Sequence, residues 1–332
     1  SLGFNLVKTR SMFTAECQSG EDWKNGSLIP YGNIELSPAA VILNYGQGVF
    51  EGTKAFQIKG GGVALFRIDK NASRIAWSTK RLCMPEMDQD FFVDAVIETV
   101  KDNLDYVPPF GKGSLYVRPI VMGISAALGV RPATKYRLII YVSPVGSYFK
   151  GDLKLLNLKI ETNFHRAARK GIGNAKAIGN YSASLFPMAK AKEEGFDEVI
   201  YLDSVNEDRI EEIGSANLFV YHDGILKTPK INGSILKGVT RDSVCSIASE
   251  ILKIEVQETD VFLTDLFNAD EVFCTGTAVQ ITPVGSIAFN NTTYEYNNKK
   301  IGPVTKNLKE ILTKIQTGEA DDPFEWLFSI NT

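Results

Sequence analysis

Apolar residues recur along this chain with a period that switches between that of a strand and that of a helix, with no solenoid repeat and no low-complexity segment. VALFRI (63–68) reads as a strand, joined to GTKAFQI through three glycines at 60–62 that signal a hairpin turn. Asp69 is placed to cap the helix that follows. A second helix is expected over about 88–104, where Val93, Val96, Ile97, Val100 and Leu104 share a face. SLYVRPIVMGI and YRLIIYVSPV complete a β-rich N-terminal unit. The next stretch, PVGSYFKGDLK (144–154), concentrates Gly, Pro and charge and reads as an interdomain linker. Its adjacent Tyr148 and Phe149 suggest that it also folds over a site.

In the second half, LNLKIET reads as a strand, followed by a glycine-rich loop and a helix over about 182–195. EVIYLD and NLFVY read as strands, and a helix over about 239–253 sets Val244, Ile247, Ala248 and Ile251 on a buried face. EVFCT leads into TGTAVQITPV, and a last helix carries Val304, Leu308, Ile311 and Ile315. The expected organisation is a small α/β domain over 1–143, a linker and lid over 144–154, and a larger, barrel-like or sandwich α+β domain over 155–332. No GxGxxG follows a strand and opens a helix, so a Rossmann unit is not expected.

Composition narrows the chemistry. A net charge of −3, from 36 basic and 39 acidic side chains interspersed along 332 residues, points to a small-molecule partner and away from nucleic acid or an anionic membrane. No apolar run approaches the length of a membrane span, and SLGFNLVKTR lacks the apolar core of a signal peptide. The expected compartment is the cytoplasm, or an organelle if a transit peptide has been removed. Cys17, Cys83, Cys245 and Cys274 form no CxxC pair and read as buried apolar fillers. With only His165 and His222 present, a multi-histidine metal site is impossible, and no GxSxG elbow supports a Ser-His-Asp hydrolase. No metal is expected; His165 is read as a structural residue, with a phosphate contact as its alternative.

Lys176 is the strongest candidate for chemistry. It lies in GIGNAKAIGNYSASL, without another charge between Gly171 and Leu185. Small neighbours let a ligand approach, no carboxylate of the window can pair the ammonium, and desolvation would lower its pKa. Such an amine suits Schiff-base chemistry with a carbonyl or with pyridoxal phosphate. LKGVTRDSV places Gly238, Val239 and Thr240 at the start of an amphipathic helix, where free amides and the helix dipole favour a phosphate. TGTA (275–278) offers a second turn for a phosphate edge or a carboxylate, and the acidic pair in EEIGSANLF could hold a pyridinium nitrogen protonated.

Taken in order, LNYGQGVFEGTKAF, LFRIDKNASRIAWS, KGSLYVRPIVMG, VSPVGSYF, GNAKAIGNYSASL, EEIGSANLF, LKGVTRDSV and CTGTAVQITPVGS resemble the fold-type IV, pyridoxal-phosphate-dependent branched-chain amino-acid aminotransferases, through nearly the whole chain. The resemblance implies a homodimer with active sites between the domains near the subunit interface. It implies that Lys176 forms the Schiff base with the cofactor and then carries the substrate proton. Glu212 would pair with the pyridine nitrogen, Glu211 being a neighbour without that role. Tyr181 would hydrogen-bond the cofactor's phenolic oxygen, and Arg74, Val239, Thr240 and Thr277 would hold the phosphate.

By the same resemblance, Tyr45, Phe50 and Tyr116 would wall the pocket for leucine, isoleucine or valine. Arg118 would take the distal carboxylate of glutamate, and the Thr277–Ala278 turn would take the α-carboxylate. The implied reaction transfers the amino group of a branched-chain amino acid to 2-oxoglutarate. Ile178 and Ser215 depart from the commonest pattern, where glycine and threonine are frequent, and neither departure removes a reacting group. The alternatives are a D-amino-acid aminotransferase or aminodeoxychorismate lyase of the same fold, which generally lack the YVRP and SPVGSYF segments, and a non-catalytic phosphate-ligand binding protein.

Overall fold

The computed structural model describes residues 2–146 and 154–330. The chain forms two compact units: Ser1–Tyr148 with Ala175–Gly179 and Ile315–Thr332, and Phe149–Asn174 with Asn180–Lys314. The centre of the expected linker, 147–153 with Tyr148 and Phe149, lies outside the described residues. Its first two residues, Pro144 and Val145, are strand residues opposite Leu115 and Ser114.

The first unit is built on β1 (Ser11–Gln18), β2 (Ser27–Pro30), α1 (Val41–Tyr45), β3 (Gly48–Phe50), β4 (Thr53–Gln57), β5 (Val63–Phe66), α2 (Ile68–Arg81), α3 (Gln89–Asp102), β6 (Ser114–Gly123) and β7 (Lys135–Val145). With the C-terminal strand Leu327–Ile330 they make one antiparallel sheet, ordered C-terminal strand, β5, β4, β6, β7, β1, β2, with β3 also on β6. Strand alternation decides its faces. Leu138, Ile140 and Val142 of β7 are fully buried in the core that includes Ile75 of α2 and Phe92, Val96 and Val100 of α3, while Ile139 belongs to a smaller cluster with Met12 and Met122. Asp88 caps α3 by accepting a bond of 2.8 Å from Phe91 N. Asp69 does not cap α2. The residue before that helix is Arg67, in left-handed backbone at φ 51°, and Asp69 sits in the first turn, where its charge complements the dipole. The C-terminal strand corrects the expected 155–332 domain, because it pairs with β5 of the first unit. Trp326 brings it there, packed edge-on to Phe66 at 5.6 Å and under the Arg67 guanidinium at 4.6 Å.

The second unit contains β8 (Leu156–Glu161), most of α4 (Ile178–Ala183), α5 (Leu185–Glu193), β9 (Glu198–Leu202), β10 (Ile210–Ile213), β11 (Asn217–His222), β12 (Ile225–Pro229), α6 (Val239–Ser246), β13 (Glu255–Thr259), α7 (Leu263–Phe267), β14 (Glu271–Gly276), β15 (Gln280–Phe289), β16 (Thr292–Glu295) and most of α8 (Pro303–Gln316). Its mixed, curled sheet runs β10, β9, β8, β15, β14, β11, β12, β13, with β16 on β15. An isolated bridge from Ile213 to Ala216 links the end of β10 to the approach of β11. The helix expected at 182–195 is two helices, broken at Ser184. Pro187 has no N–H and crowds the carbonyl four residues back, so it is accommodated only in the first turn of a new helix. The helix from 239 ends its α part at Ser246 and closes with one wider turn over Ile247–Ile251. Ile251, expected on the buried face, is therefore exposed. The cysteine expectation also fails in part: Cys17 and Cys274 are buried and Cys245 is half-buried, but Cys83 is exposed. Among the described residues no helix is long and apolar enough to cross a membrane.

Candidate active site

In the first unit the site grows from a break between β3 and β4. Both strands pair with β6, β3 through Ile120–Met122 and β4 through Leu115–Val117, and Glu51 and Gly52 lie at the break. A Cβ on Gly52 would stand 2.1 Å from the Tyr116 hydroxyl, so glycine leaves room for that ring where it lies. Tyr116 and Arg118, two residues apart on β6, share a face. Arg118 Nη2 donates to the Tyr116 hydroxyl at 3.0 Å, and its guanidinium lies 4.8 Å from the Phe50 ring centre.

Lys176 reaches the same ring, its Nζ 4.8 Å from the centre. Its own backbone fixes it there. The Lys176 carbonyl accepts from Phe50 N at 3.1 Å, its N–H donates to Ser78 Oγ at 3.0 Å, and Ala177 bridges Val49. Asn71, Arg74 and Ser78 recur on one face of α2 at helical spacing, so a single helix supplies the lysine's anchor and two partners for Glu51. Arg74 donates through Nε to Glu51 Oε1 at 2.7 Å and through Nη2 to Oε2 at 2.8 Å, and Asn71 Nδ2 adds 2.7 Å to Oε2. Glu51 is fully buried. Burial alone would push its carboxyl up, but the charge and bonds of Arg74, joined by the Lys176 charge and Asn71, outweigh burial and hold it below the usual carboxylate range.

The expectation that Lys176 lacks a carboxylate neighbour is thus overturned. Its sequence window has none, but the fold brings Glu51, at the break between β3 and β4, within reach of its charge. Tyr45 lies elsewhere in this unit: its exposed ring turns its hydroxyl to the Leu128 carbonyl.

The second unit carries the acidic pair and the anion seat. Glu212, 3% exposed, accepts at Oε1 from Asn217 Nδ2 (2.7 Å) and Leu236 N (3.2 Å), and Arg166 Nε lies 2.8 Å from its Oε2. That last contact is off the N–H axis, since Nε directs no hydrogen bond there, and it is an ion pair by charge and distance. Asn217 also donates to Leu236 O at 3.0 Å, tying the carboxylate to the segment that enters α6. Gly238 precedes that helix in extended backbone, and no side chain caps it, so the first amides, from Val239 onward, have no partner within the helix. A Cβ on Gly238 would stand 2.0 Å from Asn217 Oδ1, which closes this position to any larger residue.

Val239 and Thr240 are buried, and Thr277 and Ala278 form a half-buried turn between β14 and β15. Beside that turn the buried Thr275 Oγ1 has no hydrogen-bond partner among the described residues. Tyr181, half-buried, lies in α4 and accepts at its carbonyl from Ser184 Oγ. Sequence reasoning missed Glu51, Ser78, Asn217 and Arg166. An FEG triplet or a single arginine in HRAARK carries no local period or motif, and these partners become visible only when distant strands are paired.

The model of the family described as "Amino-transferase class IV" matches residues 48–287. The chain is 46% identical over 331 residues to the chloroplastic branched-chain amino acid aminotransferase 2 of Humulus lupulus, covering 100% of this chain and 81% of that protein. It superposes on the branched-chain amino acid aminotransferase from Escherichia coli with a TM-score of 0.81 at 29% identity, covering 98% of this chain and 100% of that one. The enzyme of the same description from Thermobaculum terrenum, solved in its PLP form, gives a TM-score of 0.83 at 25% identity, over 98% of this chain and 99% of that one.

Proposed function

We infer the reaction from one premise: this chain belongs to the class IV aminotransferases and, among them, to the branched-chain amino-acid aminotransferases. It transfers the amino group of L-leucine, L-isoleucine or L-valine to 2-oxoglutarate, reversibly and in two half-reactions, giving the branched 2-oxo acid and L-glutamate. Its cofactor is pyridoxal phosphate. The described residues suit that group. The second unit has a helix start with unpartnered amides, a glycine where a Cβ would collide, and a buried carboxylate in contact with a cation. The first has a primary amine fixed by its own backbone.

When bound, pyridoxal phosphate supplies a carbonyl to which a primary amine adds and a ring that draws in the electrons of the substrate Cα–H bond. The chain's own residues then divide the work. Lys176 Nζ takes the proton from the substrate Cα and returns it at the cofactor's C4′. The Phe50 ring, 4.8 Å from Nζ, and the backbone bonds to Phe50 and Ser78 hold that amine in place for both transfers. Glu212 holds the ring nitrogen protonated, and Tyr181 donates to the phenolic oxygen. The amides of Val239 and Thr240 and the Thr277 hydroxyl would hold the phosphate, and Arg74, whose fork Glu51 orients, would supply it with a cation. Phe50 and Tyr116 form the apolar wall, Arg118 takes the distal carboxylate of glutamate, and the Thr277–Ala278 turn takes the α-carboxylate; Tyr45, exposed and turned to the Leu128 carbonyl, is not part of that wall. The enzyme acts as a homodimer.

The observation that carries this reading is the setting of Lys176 against Phe50, Ser78 and Glu51. Lys176→Ala is expected to abolish transamination between leucine and 2-oxoglutarate while leaving the circular-dichroism spectrum and melting temperature close to those of the parent. Turnover retained by that variant contradicts the mechanism.

A further inference from the structure

Two adjacent glutamates, Glu211 and Glu212, are buried beside the Arg166 guanidinium. Arg166 Nε stands 2.8 Å from Glu212 Oε2 and 3.7 Å from Glu211 Oε2, and the Glu211 side chain is fully buried. Two buried carboxylates that share the Arg166 guanidinium compete for its charge, and a proton on one of them relieves their repulsion. The hydrogen bonds show which.

Ser234, fully buried, has its Oγ within hydrogen-bond distance of Glu211 Oε1 and, at 2.8 Å, of Asn232 Oδ1. A hydroxyl has one proton and cannot donate to both. The Asn232 amide is not free to turn, since its Oδ1 accepts from Ser234 N at 3.0 Å and its Nδ2 donates to Asp203 Oδ2 at 3.3 Å. The conflict disappears if Ser234 Oγ donates to Asn232 Oδ1 and accepts a hydrogen bond from the protonated Glu211 carboxyl. Glu212, by contrast, accepts at Oε1 from two N–H donors, which suits a carboxylate.

We propose that Glu211 is a carboxylic acid and that Arg166 therefore commits its single charge to Glu212, as the positioning residue that keeps this carboxylate ionised for the cofactor's ring nitrogen. The inference rests on the assignment of Glu212 made above. Burial, the largest influence on Glu211, pushes its carboxyl up, and the opposing pull of Arg166 and Ser234 does not cancel it. Among the described residues His165 and Asp203 also act on Glu211, and the carboxyl of Glu198 packs on nearby Gly214.

Infrared difference spectra of the apoprotein at neutral pH, together with pyridoxal phosphate affinity as a function of pH, test this. Glu211→Gln is expected to remove a carboxylic-acid C=O band. Arg166→Gln is expected to add one, from Glu212, and to move the acid limit of cofactor affinity up by about one to three pH units. Arg166→Lys, which keeps the charge and serves if the glutamine variant does not fold, is expected to add no band and to keep that limit near its parent value. No band lost in Glu211→Gln, no band gained in Arg166→Gln, or a limit displaced in Arg166→Lys overturns the inference. Glu212→Gln separates this result from the premise: unchanged cofactor affinity and turnover in that variant reject the role of Glu212, whereas their loss with unmoved bands in the other variants rejects the role of Arg166 alone.

Discussion

Phe50 sits between two cations with different tasks. Arg118 and Lys176 both lie 4.8 Å from its ring centre, each gaining about 0.5–2 kcal/mol from the ring face. Arg118 is held over the ring and against the Tyr116 hydroxyl, so its fork is oriented before any substrate arrives. On the role proposed for Arg118, Arg118→Ala removes a charge-assisted partner of glutamate but only a wall contact of leucine. Its kcat/KM is therefore expected to fall roughly ten- to a hundredfold more for glutamate than for leucine, measured as separate half-reactions. Equal losses reject the two-substrate assignment. Lys176 was legible in the sequence because small, uncharged neighbours surround it. Glu51 was not, since nothing in GVFEGTK says that its carboxylate is buried or that Arg74 and Asn71 of α2 will enclose it.

Elements with a strong period were read correctly, and those fixed by partners were not. α3 and the long strands β6 and β7 follow their apolar patterns to within a residue or two. β13, EVQET, is mostly polar and exists because it pairs in parallel with β12, and the C-terminal strand exists because β5 offers an edge. Helix starts show the same division. The first amides of α8 are satisfied from a distant strand: Glu271 of β14 accepts from Val304 N at 3.0 Å and from Thr305 N and Oγ1 at 2.8 and 2.7 Å. Glu271→Ala leaves those buried donors unpaired and is expected to destabilise the protein by about 1–3 kcal/mol in urea unfolding. A change under about 0.5 kcal/mol would mean that water replaces the cap.

Across the molecule, buried carboxylates of opposite tendency shape stability against pH. Glu51 is held below the usual range against the push of burial, so its contribution is present above the unfolded carboxylate pKa of about 4 and is lost as pH falls through its folded value. Glu198 is the reverse case. Burial, its largest influence, raises it, so its contribution is full below about pH 4 and is lost as pH rises through the raised value. Glu198→Gln fixes the neutral form, and its melting temperature relative to the parent is expected to climb between pH 4 and pH 8; a difference that does not change with pH contradicts the raised carboxyl. The absorption spectrum of the purified protein with pyridoxal phosphate, before and after L-leucine is added without an oxo-acid acceptor, tests the transamination most directly. A visible cofactor band that bleaches to the pyridoxamine form is the predicted result. No band after incubation with the cofactor, or a band that leucine leaves unmoved, would contradict it.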